Sequence, residues 1–263
     1  TFTFTVEVKS TAATGTNTID ASVTAADHWK GVSCGDTGAD TTDSWTVTVP
    51  GSLSSSITAS PNKVSYTQTY TVTMTVTNDG GNAVNNVIPS ALSIAGTANA
   101  TLISGPSPSS ATIAGGAQQQ FTWTYTSTTS GLVHFNGNAQ GTESVNGGTV
   151  SSVVSTSNDV TIQRSASLSA TLTSAPSSAV QNQTLTITMR VNNSGEASAN
   201  AVTPSALTIG GTANATLLSG PTPANASIAG GAYQDFVWTY QAGTINGTIN
   251  FTGNATGNDS NTG

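Results

Sequence analysis

Apolar and polar residues alternate along several short stretches of the chain. Residues 71–77 read TVTMTVT, so the apolar side chains fall on one face and the threonines on the other. Residues 185–191 (LTITMRV) repeat the pattern, and residues 121–125 (FTWTY) alternate aromatic side chains with threonine. A period of two predicts half-buried β-strands. Threonine suits the exposed face because its branched β-carbon fits the pleat. We expect a buried core made of Val72, Met74, Val76, Phe121, Trp123, Tyr125 and Phe135, and then of Leu185, Ile187, Met189, Val191, Phe236, Trp238, Tyr240 and Phe251.

Turn signals separate these stretches, and no segment carries a helical period. Gly-Gly, Asn-Gly, Asp-Gly and Gly-Pro pairs recur at short intervals, as is typical of turns between strands. The pattern predicts about seven short strands in some 115 residues. These strands are expected at residues 53–58, 69–78, 84–89, 92–103, 110–126 (as two strands), 131–141 and 149–162.

A long block of the sequence occurs twice. Residues 87–125 (VIPSALSIAGTANATLISGPSPSSATIAGGAQQQFTWTY) return as residues 202–240 (VTPSALTIGGTANATLLSGPTPANASIAGGAYQDFVWTY). About 28 of these 39 positions are identical, which marks a tandem repeat. The copies align without a gap until Gly131 and Gly247, where the spacing grows by one residue. We expect a longer turn or a bulge there.

The repeat divides the chain into three predicted domains. Residues 51–164 form one complete copy, and residues 165–263 form a second copy that lacks a counterpart of the last strand. Residues 1–50 resemble the C-terminal half of a third, diverged copy, in which residues 15–25 align with residues 131–141. The predicted fold class is all-β, with tandem immunoglobulin-like antiparallel β-sandwich repeats that form a rod. Each sandwich domain of the rod is expected to be roughly 30–40 Å long.

The repeated motif PSALTIGGTANATLLSGPTP, followed by SIAGGAYQDFVWTY and a glycine-rich hairpin, resembles a known type of domain. It is similar to the immunoglobulin-like repeats of bacterial and archaeal extracellular surface proteins, of which CARDB-type and conserved-repeat domains are the nearest. The resemblance covers residues 51–263. It implies an extracellular or cell-surface setting and a use as stalk, spacer, sheath, filament unit or adhesin shaft.

The composition narrows the range of partners. Only 6% of residues are charged, against about 25% in ordinary soluble domains. The formal net charge of −7 with five basic residues argues against nucleic acid and anionic membranes as partners. No run of 18 apolar residues is present, so we expect no direct insertion into a membrane. A single cysteine, Cys34, excludes an intradomain disulfide framework.

Asparagine sequons are frequent and could carry glycans. A glycan on an exposed loop would solubilise a surface that has few charges; plain polar surface is the alternative. The candidate sites are Asn99, Asn182, Asn192, Asn214, Asn225, Asn246, Asn250, Asn254 and Asn258.

One acidic, glycine-rich loop is a candidate calcium site. Asp36, Asp40 and Asp43 lie on this loop, and oxygen-rich segments of this kind can wrap a calcium ion. The spacing does not match the twelve-residue EF-hand pattern, so a solvated hairpin tip is the alternative. We expect no other cofactor.

The same loop contains the few residues that suggest catalysis or sugar binding. His28 and Cys34 could form a Cys–His nucleophile, but no oxyanion-stabilising motif accompanies them. We therefore expect that the chain is not an enzyme. Trp29 has no core pattern around it and could stack on a sugar, which makes a carbohydrate-binding module a distant alternative.

These observations predict a structural protein. The chain is expected to be a subunit of an extracellular filament, sheath or surface fibre, assembled head to tail by β-strand complementation between subunits. Its partners would be copies of itself, and cell-surface glycans are a further candidate. The donor strand would come from residues 1–8 or 44–49. The alternative is a fragment of a long cell-surface adhesin or stalk made of repeats.

Overall fold

The computed structural model describes residues 5, 14–20, 23–26, 33–36 and 42–262. All regular elements in these ranges are β-strands, and nearly all pair antiparallel. The N-terminal part contributes two separate two-stranded pairs, in which β1 pairs with β4 and β2 with β3. Their bounds are β1 (Gly15–Asp20), β2 (Val23–Ala26), β3 (Ser33–Asp36) and β4 (Thr42–Val47).

Residues 51–164, the first unit, contain thirteen strands. They are β5 (Leu53–Ser60), β6 (Lys63–Ser65), β7 (Thr69–Asn78), β8 (Val84–Pro89), β9 (Ser93–Gly96), β10 (Thr101–Ser107), β11 (Ala111–Ile113), β12 (Gln118–Thr126), β13 (Gly131–Gly137), β14 (Ala139–Glu143), β15 (Thr149–Ser151), β16 (Ser155–Thr156) and β17 (Val160–Gln163).

Three sheets enclose the core of the first unit. One has the order β10-β12-β7-β5 and a second the order β11-β8-β14-β15. The third has the order β16-β13-β17-β6, with β9 also paired to β13. The short strand β6 runs parallel to β17 and places Val64 beside Ile162. Apolar side chains from all three sheets meet in one core cluster, so the sheets pack against one another.

Residues 165–263, the second unit, repeat most of this arrangement. Their sheets have the orders β18-β19-β24-β22, β23-β20-β26 and β21-β25. The strands are β18 (Leu168–Ala175), β19 (Thr184–Asn193), β20 (Ala199–Pro204), β21 (Thr208–Gly211), β22 (Ala215–Thr222), β23 (Ala226–Ile228), β24 (Tyr233–Ala242), β25 (Ile249–Thr252) and β26 (Ala255–Asp259).

The strand registers of the two units correspond. Met74 lies opposite Phe121 in the first unit, and Met189 lies opposite Phe236 in the second. The predicted one-residue difference is present in the turn that precedes β13 and β25. After this turn, Phe135 lies opposite Ile94 in the first unit and Phe251 lies opposite Ile209 in the second, so the register is the same in both units. The extra residue therefore lengthens a turn and leaves the ladder unchanged.

Almost all of the predicted core residues are buried, with Trp123 and Trp238 at 2% and 1% exposure. The prediction for Phe251 is wrong, because its ring is half-buried whereas Phe135 is fully buried. Residues 155–162 pair along the edge of β13 that contains Phe135 in the first unit, and no described segment pairs along that edge of β25.

Three predicted strands are divided in the structure, and one of them, residues 131–141, becomes β13 and β14 in different sheets. Residues 92–103 split into β9, which pairs with β13, and β10, which pairs with β12 in another sheet. Gly96 makes this crossing possible, because it has a φ of 120° and a Cβ there would lie 2.2 Å from the Leu132 carbonyl oxygen. Residues 149–162 form β15, which pairs with β14, and then β16 and β17, which both pair with β13.

The strand pair β1–β4 of the N-terminal part has the same register as the strand pair β13–β17 of the first unit. Gly15 lies opposite Val47 and Asn17 opposite Trp45. In the first unit Gly131 lies opposite Ile162 in the same way, and Val133 lies opposite Val160. Trp45 thus occupies the register position of Val160, and Val47 occupies that of Ile162.

Candidate functional site

A groove opens in the second unit at the place that β17 fills in the first. We define it by loop residues 177–181 on one side and by β25 with its preceding turn on the other. Its volume is about 470 Å³, and Leu185, Ile249 and Phe251 are among the apolar residues that line it. In the first unit Val160 and Ile162 of β17 occupy the corresponding space and are fully buried.

The groove walls carry smaller side chains than the equivalent positions of the first unit. Ala179 is exposed, whereas its counterpart Val64 is 1% exposed. Leu185 takes the place of Tyr70, whose hydroxyl group hydrogen-bonds the Ser127 hydroxyl group at 3.0 Å. Alanine and leucine are smaller than valine and tyrosine, so these exchanges widen the groove.

The groove is also bordered by an open strand edge. Within the described part of the chain, β25 pairs with β21 alone. Its counterpart β13 pairs with β9 and with β17, so both of its edges are used. An unpaired edge presents N–H and C=O groups that another strand can bind. The groove therefore offers both backbone partners and apolar contact to an incoming strand.

A second candidate site is the junction between the two units. The Ser65 hydroxyl group donates a hydrogen bond to Asp259 Oδ1 at 2.9 Å. Gln68 Nε2 donates to the Asn261 carbonyl oxygen at 2.8 Å, and Asn261 Nδ2 donates to Gln163 Oε1 at 3.1 Å. Direct contacts of this kind restrict how the units can turn relative to each other.

The electrostatics of the junction centre on Asp259. Burial opposes the ionisation of its carboxyl group and would raise its pKa, but hydrogen bonds outweigh this effect and lower the pKa below the ordinary value of 3.8. The donors are the backbone N–H groups of Ala166 and Asn261 and the Ser65 hydroxyl group. The carboxylate therefore binds both the segment that precedes β18 in its own unit and Ser65 of the first unit.

The linker between the units is held by Glu196. Its carboxylate accepts hydrogen bonds from the Arg164 backbone N–H at 2.9 Å and from Arg164 Nε at 3.2 Å. These contacts, the backbone N–H first, lower the pKa of Glu196. Gly195 lies against the same linker, and a Cβ there would be 2.1 Å from the Ser165 carbonyl oxygen.

A buried asparagine holds a loop at the N-terminal end of each unit. Asn193 Nδ2 donates to the carbonyl oxygens of Ala197 and Ile228, while Oδ1 accepts the N–H groups of Ser167 and Gly195. Asn78 makes the matching set of bonds in the first unit. Sequence reasoning missed both residues. Their recurrence at the same position of the repeat was the available signal.

The acidic residues predicted to bind calcium lie in the N-terminal part. Asp36 ends β3 and Asp43 lies on β4, whereas Asp40 is outside the described residues. Among the residues that the structure describes, no group of three or more His, Cys, Asp or Glu side chains is placed to hold a metal ion. The calcium site therefore stays a prediction.

The structure describes only one of the other candidate residues of this loop. Cys34 lies on β3, while Asp27, His28 and Trp29 fall outside the described residues. His134 lies on β13, where its Nδ1 is 3.1 Å from Asp159 Oδ1. This pair is partly exposed at the surface of the first unit.

Most of the predicted glycosylation sites are accessible. Asn192 is half-buried on β19, and the following eight side chains are exposed: Asn99, Asn182, Asn214, Asn225, Asn246, Asn250, Asn254 and Asn258. Asn99 Nδ2, the atom that would carry a glycan, donates a hydrogen bond to the Thr128 hydroxyl group at 3.0 Å. Their modification remains a prediction.

No helix among the described residues is long and apolar enough to cross a membrane.

Comparison with known proteins gives only distant likenesses. No protein-family model and no curated protein matches the chain. Among solved structures, the secreted serine protease VesC from Vibrio cholerae is similar over 72% of this chain, with 12% identity and a TM-score of 0.22. The chain spans 48% of that protease. The collagen adhesin (CNA) from S. aureus is similar over 81% of this chain and 96% of its own, with 13% identity and a TM-score of 0.13.

The match to the protease corrects one expectation. We expected from the sequence that the chain is not an enzyme, and the likeness to a secreted serine protease contradicts that exclusion. The exclusion rested on the missing oxyanion-stabilising motif near His28 and Cys34, which concerns a single loop of the chain. A TM-score of 0.22 is too low to carry the activity of the protease over to this chain.

Proposed function

We propose that the chain is a structural subunit of an extracellular filament, sheath or surface fibre. The observation that carries the proposal is the junction, where Ser65, Asp259 and Asn261 tie two equivalent units together by direct hydrogen bonds. A short linker clamped at Arg164 by Glu196 adds to this constraint. Repeated units with a fixed junction form an array in which each unit contacts its neighbours.

The proposed architecture is a rod of tandem immunoglobulin-like β-sandwiches. The matching sheet orders of the two units support it, as does the short parallel strand β6 beside β17. We further propose that residues 1–50 are the C-terminal half of a diverged unit. The shared register of β1 with β4 and of β13 with β17 supports this assignment.

The proposed setting is the cell surface or the extracellular space. The exposed sequons of the second unit support it, because glycans there would solubilise a surface with few charges. The proposed partners are copies of the same chain, which associate head to tail by β-strand complementation. A head-to-tail contact does not close on itself and so propagates into a fibre.

Electron microscopy of the purified chain at rising concentration tests the proposal. We expect filaments with an axial repeat that corresponds to the length of one chain. A chain that stays monomeric in sedimentation experiments at every concentration would contradict the filament function.

The alternative is a segment of a long adhesin or stalk in one covalent chain. The linker through Arg164 and Ser165 favours this alternative, because it joins two units covalently. Further units of the same chain could be joined in the same way. The intact mass of native material separates the two functions. Filament material dissolved in denaturant gives chains much shorter than the fibre, whereas a stalk remains one chain whose mass accounts for its whole length.

A further inference from the structure

We infer that Asn214 of the second unit accepts an N-linked glycan in the folded protein, whereas Asn99, which lies in an identical sequon of the first unit, does not. This inference rests on the proposed extracellular setting, because it names one site at which that setting would modify the chain. Three features support it: the identical local sequence of the two sites, the hydrogen bonds that engage the Asn99 side chain, and the loss of most of these bonds at Asn214.

The two sequons share their sequence and their backbone contacts. Residues 96–101 and residues 211–216 both read GTANAT. In each unit the two residues before the asparagine donate their N–H groups to one carbonyl oxygen, that of Leu132 in the first unit and that of Thr248 in the second. The asparagine and the threonine two positions after it are exposed in both units. A glycosylating enzyme that reads N-X-S/T therefore meets the same sequence at the two sites.

The side chain of Asn99 is engaged through both of its polar atoms. Its Nδ2 donates a hydrogen bond to the Thr128 hydroxyl group at 3.0 Å. Its Oδ1 accepts the N–H groups of Thr128 and Thr129 at 2.9 and 3.2 Å, and the Thr129 hydroxyl group at 3.0 Å. We call these four bonds the asparagine latch. Because a glycan is attached through Nδ2, the latch holds the reacting atom of Asn99 against the neighbouring turn.

Most of the latch is missing around Asn214. Gly243 replaces Thr128 at the equivalent position, so the hydroxyl group that would accept from Nδ2 is absent. The turn is also one residue longer, and it brings the N–H group of Ile245 to Asn214 Oδ1 at a distance of 3.4 Å, which is long for a hydrogen bond. Within the described part of the chain, no group accepts a hydrogen bond from Asn214 Nδ2. The atom that would carry the glycan is therefore not engaged.

This position of the repeat is accessible even where another unit follows. The second unit follows the first, and Asn99 is exposed all the same. The accessibility of the equivalent Asn214 therefore does not depend on what comes after the second unit. A glycan at Asn214 would lie directly before β22, where Leu217 and Leu218 are exposed. It would solubilise this part of a surface that has few charges.

The reaction transfers a glycan from an oligosaccharide that is linked to a lipid through a diphosphate. Asn214 Nδ2 forms a bond to the anomeric carbon of the first sugar, and the bond between that carbon and the diphosphate breaks. Nδ2 gives up one proton to a base of the transferring enzyme, and nothing is oxidised or reduced. The same attack by Asn99 Nδ2 first requires the asparagine latch to open, which breaks hydrogen bonds that stabilise the folded protein.

Glycosylation of the folded chain in vitro tests the inference. The 263-residue protein is produced in a host without N-glycosylation and incubated with a lipid-linked oligosaccharide and a single-subunit oligosaccharyltransferase that recognises N-X-S/T. Peptide mass spectrometry gives the initial rate at each sequon. We expect Asn214 to react at least about tenfold faster than Asn99, because the asparagine latch must open before Asn99 can react. Equal rates at the two sites overturn the inference.

Synthetic peptides separate the effect of the fold from that of the sequence. The probes are residues 94–104 (IAGTANATLIS) and residues 209–219 (IGGTANATLLS), treated with the same enzyme and oligosaccharide. We expect their rates to agree within about twofold, because neither peptide contains the partners of the asparagine latch. If the peptides differ as much as the two sites of the protein do, the fold does not cause the difference and the inference is wrong.

Variants of the turn test the latch directly. Thr128→Ala combined with Thr129→Ala removes both hydroxyl groups of the latch, and it should raise the rate at Asn99 by about fivefold or more. Thr244→Ala changes the residue equivalent to Thr129 in the second unit and is the matched control. It should leave the rate at Asn214 unchanged. An unchanged rate at Asn99 in the double variant overturns the inference.

Unfolding in urea tests the latch without an enzyme, and it shows whether the variants fold. Asn99→Gln displaces both polar atoms of the side chain and should lower the urea concentration at the midpoint of unfolding. Asn214→Gln, the matched change in the second unit, should leave the midpoint unchanged because its side chain makes a single long contact. Equal midpoints for these two variants would show that the latch does not hold Asn99, and would overturn the inference.

Native material separates the inference from the proposed function. A glycan on Asn99 and none on Asn214 would overturn the inference. If no sequon of native material carries a glycan while the folded protein still reacts at Asn214 in vitro, the result counts against the proposed extracellular setting and leaves the assignment of Asn214 standing.

Discussion

The Ser65 hydroxyl group donates a hydrogen bond to the carboxylate of Asp259, and this bond joins the two units across 194 residues of sequence. Asp259 ends β26 of the second unit and also accepts the N–H group of Ala166 at the beginning of that unit. One side chain therefore closes its own unit and fixes the preceding unit against it. Two predictions test this relationship directly.

Replacement of Asp259 by alanine should destabilise the second unit and loosen the junction. The variant loses a charged acceptor that serves three donors, and we expect a decrease of about 1–2 kcal/mol in the free energy of unfolding. Urea-induced unfolding followed by tryptophan fluorescence measures the change. Asp79→Ala, at an exposed turn of the first unit, is the control and should have little effect. Equal stability of the two variants would show that the junction does not depend on Asp259.

The stability that Asp259 contributes should depend on pH. The pKa of its carboxyl group is lower in the folded state than the ordinary value of 3.8. Its contribution is therefore complete above pH 3.8 and is lost as the pH falls through the lower folded pKa. We expect the acid-induced loss of stability below pH 4 to be shallower in Asp259→Asn than in the unmodified protein. Identical pH profiles, measured by urea unfolding between about pH 2 and pH 6, would contradict the assignment.

The alternation of residues in the sequence was sufficient to assign the buried faces. Val72 and Met74 on β7 and Trp123 on β12 are buried as predicted, because a period of two places the apolar residues of each strand on one side. Local pattern also located the longer turn before Gly247. These features depend on residues that are neighbours in sequence, or on comparison of one repeat with the other.

Features that depend on distant segments could not be predicted. Phe251 carries the same local pattern as Phe135, yet its burial depends on a strand that packs over it. The division of residues 92–103 between two sheets likewise depends on which strands the chain meets. Asp259 lies within the sequon of Asn258, so the sequence indicated a glycan at this place. The contact of Asp259 with Ser65 depends instead on how the two units are placed.

The two equivalent phenylalanines should differ in their contribution to stability. Phe135→Ala removes a fully buried ring that lies 4.6 Å from the Tyr125 ring, and it should cost about 3–5 kcal/mol. Phe251→Ala should cost less, because its ring is half-buried in the open groove and gives up less buried area on truncation. Urea unfolding of both variants gives the comparison. Equal costs would show that the groove is closed in solution.

The buried amide of Asn193 should be among the most sensitive positions outside the apolar core. Asn193→Ala leaves the carbonyl oxygens of Ala197 and Ile228 and the N–H groups of Ser167 and Gly195 without this partner. Each buried polar group left unpaired costs about 1–3 kcal/mol, so we expect a loss of about 3 kcal/mol or more.

A matched set of variants tests whether hydrogen bonding or packing explains the effect at Asn193. Asn193→Asp preserves the size of the side chain but replaces the donating Nδ2 with an oxygen that faces two carbonyl oxygens, so it should be at least as destabilising as Asn193→Ala. Asn78→Ala should have the same effect on the first unit, and the exposed Asn225→Ala should have almost none. Urea unfolding provides the free energies. If Asn193→Asp is as stable as the unmodified protein, the two donated hydrogen bonds do not hold the loop, and the side chain serves there only to fill space.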